Sequence, residues 1–479
     1  MALSAAPIDV IVVGAGLTGL QAAVSLHNAG LRVLVLEGRD RVGGKTLSRG
    51  LEGAISDMGA AWINSTNQSK MFRLTQDFDL EAIEQNTHGN IVMHDLDGSV
   101  HMFPYGKTPK QEVEIGGVKD MIRMRDLFET LCQKIDIYDP NHLSSLEALG
   151  GVDYDQMSMK GFVEFHKGGE TAMCTVTIWT RAMLGVEPGE ISALWFLRYC
   201  KAGGGLMQMR SDRKDGGQFL RIAEGTQSFS KGLASSLLAD SISLNSPVTD
   251  INDIGTSVVV STKNKTYRAK HVVLSLPTTL YNTIQFSPPL PDNKSKLATR
   301  TIHGNTSKVF LSYATPWWRD LGSCGLTQSL KGLVAVTRDT SNDTKGHFSL
   351  LCFLVGDPGR RWSLLSPPER RAAVETHIKA LYQPIFAKKG KGQKVPALKG
   401  YTEQIWSNEV FSGGCPCPAF PPGLMSEVGG EIGNSVGNLF FVGTETASKW
   451  RGYMEGAVRS GERGAEEVIK SLRNEPARL

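Results

Sequence analysis

Three glycines at fixed spacing, Gly14-x-Gly16-x-x-Gly19, stand between a short apolar run and a helical pattern. The first glycine permits a tight turn, the second lets the backbone approach a pyrophosphate, and the third allows close helix–strand packing. The N-terminus of the following helix attracts the phosphate charge. Glu37 ends the next apolar run, where its carboxylate can accept hydrogen bonds from ribose hydroxyls. These residues predict a dinucleotide site, and the glycines alone leave open whether NAD or FAD binds.

A second glycine pair with flanking cations follows Glu37 closely. Backbone N–H groups and positive side chains at this point can add contacts to the same pyrophosphate. The residues concerned are Arg39, Arg41, Gly43, Gly44 and Lys45.

The elements that must position these groups form a βαβ unit. Residues Asp9 to Val13 predict a buried strand, Leu17 to Ala29 a helix, and Arg32 to Glu37 a second strand. Further helices are predicted at about 70–80, through much of 121–199, at Ser228–Leu238 and at Met454–Leu472. Later strands are predicted at Ser241–Leu244, Val248–Ile251, Ser257–Thr262, Lys265–Ala269, His271–Leu276 and Asn438–Val442. The pattern indicates an α/β fold with a Rossmann-type domain.

Composition narrows the class of protein further. With 479 residues the chain is too long for one hydrophobic core, so two large domains are expected. A formal charge of +4, spread evenly, argues against nucleic-acid binding. The seven cysteines are scattered, which favours reduced thiols in an intracellular protein, and no metal site is expected from them. No apolar run is long enough to predict a membrane span.

Several longer segments resemble the flavin-containing monoamine oxidases. They occur in the same order as in that family and cover most of the chain. The segments are Glu37 to Lys45, Asp57 to Ile63, Ser192 to Leu197, Phe286 to Pro291, Ser412 to Cys415, Phe420 to Gly423, Phe441 to Ala447 and Trp450 to Ala457.

This resemblance implies FAD as the cofactor and a glutathione-reductase-like FAD domain interleaved with an α+β substrate domain. We expect 1–85, 225–284 and 413–479 in the FAD domain, and 86–224 and 285–412 in the substrate domain. Besides the glycine and cation residues above, the implied cofactor contacts are Ala61, Trp62, Val248, Trp406, Cys415, Gly443, Thr444, Glu445, Gly452, Tyr453 and Met454.

Cys415 matches the family cysteine that joins the flavin 8α-methyl group through a thioether. A thiolate can add to this electrophilic position of the oxidised ring. The alternative is a free structural cysteine, because some relatives hold FAD without a bond, and Cys417 is a second nearby thiol. We expect the bond to form at Cys415.

Two residues match the family's catalytic positions. Lys308 corresponds to the lysine that holds a water against the flavin, where a cation would stabilise the charge of developing superoxide. Tyr453 corresponds to one wall of the aromatic cage that guides the amine to the flavin face, and an electron-rich ring suits an amine nitrogen.

The other wall of the cage departs from the family pattern. Pro416 follows the flavin cysteine, where the family has a tyrosine. Ala182, Met183 and Ala202 fall where the family lines its substrate cavity. The small residues among them motivate the hypothesis of a wide pocket for a bulky or long substrate.

The resemblance implies an oxidase that takes amines to imines, which hydrolyse to a carbonyl compound and ammonia, while O2 becomes H2O2. The first alternative is a flavin dehydrogenase or oxidative cyclase acting on a bulky secondary metabolite, motivated by Pro416. The second is a non-catalytic flavoprotein, which the presence of Lys308 and Tyr453 argues against. An NAD-dependent dehydrogenase is disfavoured by the flavin-specific C-terminal segment.

The last three residues, Ala477-Arg478-Leu479, have the small–basic–Leu form of a peroxisomal address. We therefore expect a peroxisomal oxidase, or a cytoplasmic one if the tripeptide is not read. An amine and O2 are the expected small-molecule partners, and a homo-oligomer, most simply a dimer, is the expected assembly.

Overall fold

The chain begins with the βαβ unit that its apolar pattern predicts. A computed structural model describes residues 7–107, 117–139, 143–389 and 394–474. Strand β1 (Ile8–Val13) and strand β2 (Val33–Leu36) run parallel, and helix α1 (Leu17–Asn28) connects them. Both strands are nearly all apolar because the sheet is covered on both faces. The turn between β1 and α1 therefore lies at the carboxyl edge of a buried parallel sheet, where ligands bind in such folds.

The first sheet is assembled from distant parts of the chain. Besides β1 and β2, its strands are β9 (Ile242–Ser243), β10 (Val248–Asp253), β11 (Val258–Thr262), β12 (Thr266–Leu274), β13 (Gln285–Ser287) and β21 (Leu439–Phe441). The strands lie in the order β13-β10-β11-β12-β1-β2-β9, and β21 pairs with the end of β12. The sequence predicted two strands where β12 is one continuous strand, and that prediction is wrong. Pairing with β11 over its first half and with β1 over its second keeps the backbone extended throughout.

Three helices pack beside this sheet. Helix α15 (Met454–Asn474) and helix α9 (Gln227–Ser235) both contact α1. Helix α2 (Ser69–Asp77) packs on α15. The predicted helices here are confirmed, with ends that shift by one to three residues.

The second sheet carries the other half of the cavity described below. Its strands are β6 (Asn90–His94), β7 (Val100–Pro104), β15 (Thr306–Tyr313), β16 (Ser323–Ser329), β17 (Val336–Asp339), β18 (Phe348–Val355) and β19 (Gly400–Ile405). They lie in the order β19-β15-β18-β17-β16-β6-β7. Helices α11 (Trp317–Asp320), α12 (Gly356–Ser363) and α13 (Pro367–Lys388) contribute apolar side chains to a core shared with it.

A helical block forms most of residues 118–209, as the sequence predicts. Its helices are α3 (Val118–Gln133), α4 (Leu143–Ala148), α5 (Met159–Phe165), α6 (Glu170–Leu184), α7 (Ala193–Ala202) and α8 (Leu206–Met209). Large aromatic residues fill its centre, with Phe128 in contact with Trp179 on α6 and Phe196 on α7. This packing fixes the faces of α6 and α7 that border the cavity.

Short elements complete the fold. They are the ladders β3 (Ser48–Leu51) with β4 (Ala54–Asp57), β5 (Ala82–Glu84) with β8 (Leu220–Ile222), and β14 (Ile302–His303) with β20 (Pro418–Ala419), and helices α10 (Asp292–Arg300) and α14 (Leu424–Val428). Among the described residues, no helix is both long and apolar enough to cross a membrane. The C-terminal tripeptide lies outside the described residues.

The two sheets draw on different segments. The first takes strands from residues 8–36, 242–287 and 439–441, and the second from 90–104 and 306–405. This alternation is what the predicted interleaving of two domains requires. The division into domains itself stays a prediction.

Candidate active site

A cavity of about 540 Å³ joins the carboxyl edge of the first sheet to one face of the second. The glycine turn and the end of β2 line one part of it. Residues of β15, β17 and β18, together with α6 and α7, line another part. Most of the predicted site residues meet in this cavity.

The glycine turn has the geometry of a phosphate cradle. Gly14 has φ of +101°, which disfavours other residues, and a Cβ at Gly19 would lie 2.0 Å from the Gly14 carbonyl oxygen. Gly16 bridges to Gly43, so the two glycine-rich loops lie side by side. Gly14, Gly16, Gly43 and Gly44 line the cavity, whereas Gly19 sits behind it as the packing glycine. A dinucleotide phosphate fits this cradle at the N-terminus of α1.

Glu37 is fixed by the backbone around it. One carboxylate oxygen accepts from the Ala15 N–H at 2.7 Å, and the other from the Arg39 N–H at 2.9 Å. The side chain is buried and lines the cavity. Each oxygen retains a free lone pair, so the carboxylate can also accept from ribose hydroxyls.

The cations after Glu37 take different positions. Arg39 lines the cavity and donates to Ser412 at 2.9 Å and to Glu409 at 3.2 Å. Arg41 is not part of the cavity lining and donates to the Gly44 carbonyl oxygen at 3.1 Å. The resemblance placed both on the cofactor, and the structure brings only Arg39 to the cavity wall.

Lys45 lies in a buried polar cluster that the sequence did not reveal. Its ammonium donates to the Pro416 carbonyl oxygen at 2.9 Å and lies 3.2 Å from Nε2 of His303. Nδ1 of His303 lies 2.8 Å from the Thr279 hydroxyl. Burial and the adjacent ammonium hold the pKa of His303 well below its ordinary value. The imidazole is therefore neutral and accepts a hydrogen bond from Lys45 at Nε2.

Lys308 projects from β15 into the cavity. Its ammonium donates to the carbonyl oxygens of Gly59 at 2.5 Å and Asp57 at 3.1 Å. The same nitrogen lies 5.2 Å from the Trp62 ring centre and 5.3 Å from that of Phe353. Burial lowers the pKa of Lys308 to about 8, against the opposing effect of the Asp57 carboxylate. The ammonium of Lys308 thus lies beside a stacked pair of aromatic rings, whose centres are 6.1 Å apart.

The two cysteines have different surroundings. Cys415 lines the cavity and, like Trp62 and Phe353, packs against the core cluster that contains Met58 and Trp406. Burial raises the pKa of its thiol, and the ammonium groups of Lys45 and Lys308 oppose this effect. Cys417 is buried in the helical core, away from the cavity lining, and burial raises the pKa of its thiol to about 12. Of these two thiols, only Cys415 can meet a group bound in the cavity.

Tyr453 lines the cavity beside a second tyrosine. The ring of Tyr199, from α7, lies 6.5 Å from the Tyr453 ring centre at 30°. Trp450 packs edge-on against Tyr453 at 5.0 Å. Tyr199 was missed because it lies in a helical segment far from the C-terminal motif, where an aromatic residue indicates only a core.

Other predicted residues also reach the cavity wall. They are Ala61, Trp62, Ala182, Met183, Val248, Pro416, Gly443, Thr444, Glu445, Gly452 and Met454. Two do not. Ala202 is buried at the end of α7, where its carbonyl oxygen accepts from the Trp450 N–H at 2.8 Å, so it does not reach the cavity wall and its place in the substrate pocket stays a prediction. Trp406 is buried behind the cavity, and its indole donates to the Met58 carbonyl oxygen at 2.8 Å.

These features define a dinucleotide-dependent oxidoreductase whose reaction chamber continues directly from the cofactor cradle. The family profile described as flavin containing amine oxidoreductase matches residues 17–469. The flavin-containing amine oxidase B of Canis lupus familiaris is 34% identical over 97% of this chain and 86% of its own length. The human enzyme of that name is 31% identical, and amine oxidase A of Sus scrofa 32%. The chain therefore belongs to the flavin-containing amine oxidases, enzymes that oxidise amines with FAD.

Solved structures agree with this placement. Putrescine oxidase bound to putrescine superimposes with a TM-score of 0.86 and 26% identity, covering 97% of this chain and 99% of that one. Cyclohexylamine oxidase from Brevibacterium oxydans gives a TM-score of 0.88 and 25% identity, covering 98% and 100%. The predicted α/β fold with a Rossmann-type FAD domain is confirmed.

Proposed function

We propose that this flavin amine oxidase takes a primary amine to an imine in the part of the cavity bounded by Lys308, Tyr453 and Cys415. The observation that carries the proposal is the buried Lys308 ammonium, held beside the stacked rings of Trp62 and Phe353 on the cavity wall. When bound, FAD accepts the hydride equivalent from the amine and returns two electrons to O2 as H2O2. Released imine hydrolyses to a carbonyl compound and ammonia.

The cavity wall prepares the amine for oxidation. Ile178, Ala182 and Met183 make one side of the chamber apolar. Such surroundings lower the pKa of a bound amine and favour the neutral form, which alone has a lone pair to support C–H cleavage. The Tyr453 ring offers an electron-rich face to the nitrogen.

Lys308 serves the oxygen half of the reaction. Its ammonium is anchored by two backbone carbonyl groups and needs no rearrangement when negative charge develops nearby. With a pKa of about 8 it is protonated at neutral pH. We assign it the stabilisation of charge on reduced oxygen.

We also propose that Cys415 bonds to the flavin. The sulphur would replace one hydrogen of the 8α-methyl group, and the two hydrogens lost from thiol and methyl would reduce O2 to H2O2. The position of Cys415 on the cavity wall, within the electrostatic influence of Lys45 and Lys308, supports the assignment because cations favour a reactive thiolate. One solved relative is itself described as an alanine-to-cysteine mutant from a redesign of cofactor binding.

Denaturing gels and intact-protein mass spectrometry test the bond. We expect yellow fluorescence to stay with the protein band, and a mass increase equal to FAD less two hydrogens. Cys415→Ala should lose both signals, while the matched Cys417→Ala should keep them. Release of all flavin from the unaltered protein would refute the bond without affecting the proposed oxidation.

Anaerobic mixing tests the reaction. Purified holoenzyme should lose its flavin absorbance when mixed with a primary amine, then recover it in air with one H2O2 formed per amine oxidised. An intact flavin that no simple amine bleaches would instead favour the specialised dehydrogenase or cyclase that Pro416 suggests. Peroxisomal location and dimer formation stay predictions from the sequence.

A further inference from the structure

Four polar side chains line the cavity away from the glycine turn. They are Arg210, which follows α8, Gln218, which precedes β8, Gln328 on β16, and Arg338 on β17. The carboxylates on the cavity wall, Glu37 and Glu445, belong to the cofactor segments instead. The polar group therefore lies apart from the residues that cradle the dinucleotide.

Strand register places this group relative to Lys308. Lys308 pairs with Phe353, Phe353 with Val336, and Val336 with Gln328, so the four form one row on a single face of the sheet. Arg338 lies two residues beyond Val336 and so faces the same side. Two strand spacings and two residues along the strand separate the Cα atoms of Lys308 and Arg338 by about 12 Å.

At the end of the cavity formed by these four side chains, the positive charge exceeds the negative charge of the nearby carboxylate. Arg338 forms an ion pair with Asp212 at 3.2 Å, and Asp212 also accepts from the Tyr105 hydroxyl at 3.1 Å. Asp212 is 2% exposed and does not line the cavity. Arg210 lies over the Trp179 ring at 5.7 Å, and within the described residues its guanidinium forms no hydrogen bond or ion pair. Two arginines thus meet one carboxylate.

Unpaired polar groups lie at this end of the cavity. Nη1 of Arg338, a donor, is buried with no hydrogen-bond partner among the described residues, and so is the side-chain oxygen of Gln218, an acceptor. Arginine presents a planar fork of N–H donors that matches a carboxylate. A buried guanidinium left unpaired is costly, and a bound anion would remove that cost.

We propose that this arginine pair binds a carboxylate at the far end of the amine substrate. The inference rests on the proposed amine oxidation and specifies its substrate class: amines whose nitrogen and carboxylate are separated by several bonds. A diamine is disfavoured because its second ammonium would meet the excess positive charge. An α-amino acid is disfavoured because its carboxylate would stay beside the reacting carbon.

Matched amines separate charge from size. One set is benzylamine, 4-(aminomethyl)benzoate and the methyl ester of that acid. Another is butylamine, 4-aminobutanoate and 1,4-diaminobutane, with 6-carbon homologues to vary the reach. We expect the carboxylates to reduce the flavin faster than their neutral and cationic partners under anaerobic conditions. The expected advantage is about 10- to 100-fold in kcat/KM, which corresponds to the free energy of one or two charged hydrogen bonds.

Variants assign the preference to the arginines. Arg210→Met should lower the kcat/KM ratio of 4-(aminomethyl)benzoate to its ester by about tenfold or more, and Arg210→Lys should restore part of it. The matched control is Arg213→Met, which removes the same charge three residues away from an exposed side chain outside the cavity lining. Its ratio should equal that of the unaltered enzyme.

A binding measurement adds a readout independent of turnover. 4-Methylbenzoate, which has no amine, should perturb the flavin absorption of the holoenzyme with a Kd that Arg210→Met raises about tenfold. Oxidation of amines with no carboxylate preference, and no spectral response to 4-methylbenzoate, would overturn the proposal while leaving amine oxidation standing. Failure of every amine, carboxylated or not, would count instead against the proposed reaction.

Discussion

Replacement of Lys308 by methionine tests the reasoning about oxygen most directly. Methionine keeps an unbranched stem of four atoms, but the ammonium that donates to Gly59 and Asp57 is lost. A preorganised donor beside developing charge contributes about 10²–10³ in rate. We expect reoxidation of reduced flavin by O2 to slow by about 100-fold, while reduction by an amine changes far less.

The same variant makes a second prediction through pH. The pKa of Lys308 falls from 10.5 to about 8 on folding, so the unfolded chain binds more protons between these values. The contribution of Lys308 to the free energy of unfolding therefore increases as the pH rises from about 8 to 10.5. At about 1.4 kcal/mol per pKa unit, the unfolding free energy of the unaltered protein should gain about 3 kcal/mol relative to Lys308→Met.

Stopped-flow absorbance and urea unfolding at several pH values supply the two measurements. Lys294 is the matched control, because it is also buried, donates to two backbone carbonyl groups and has a pKa lowered by burial to about 7. It lies outside the cavity lining, so Lys294→Met should leave reoxidation unchanged. Reoxidation of Lys308→Met within about threefold of the unaltered rate would refute the electrostatic role.

Two further predictions concern the cofactor cradle, and a third concerns the tryptophan buried behind the cavity. Gly19→Ala places a Cβ 2.0 Å from the Gly14 carbonyl oxygen, so we expect protein largely lacking FAD by absorbance, whereas Gly50→Ala, with open space around it, should retain FAD. Glu37→Gln leaves one backbone N–H without an acceptor and should weaken FAD binding by about 10- to 100-fold in a reconstitution titration. Trp406→Phe removes one buried hydrogen bond and should lower the unfolding free energy by about 1 kcal/mol in urea, with FAD still bound.

The structure shows which residue stands at the position of the missing cage tyrosine. Pro416 lines the cavity where the family pattern has an aromatic ring, and Tyr199 lines it beside Tyr453. Of the two cage tyrosines of the family, Tyr453 is therefore present, and Pro416 occupies the position of the other.

The cofactor half of the site could be predicted from the sequence. The spacing of Gly14, Gly16 and Gly19 sets a local turn, and a local turn is encoded by neighbouring residues. Glu37 follows from its place at the end of one strand, and Cys415 from a contiguous motif. In each case the chemistry depends on few residues close together in the chain.

The substrate half was decided by tertiary structure. Arg210 and Arg338 are far apart in sequence and meet because the chain after α8 packs against β17. Likewise His303 reaches Lys45 through the ladder of β14 and β20, and Ala202 turns into the protein at the end of a helix. Which side chains share a cavity depends on strand register and helix packing between remote segments, and no local pattern encodes either of them.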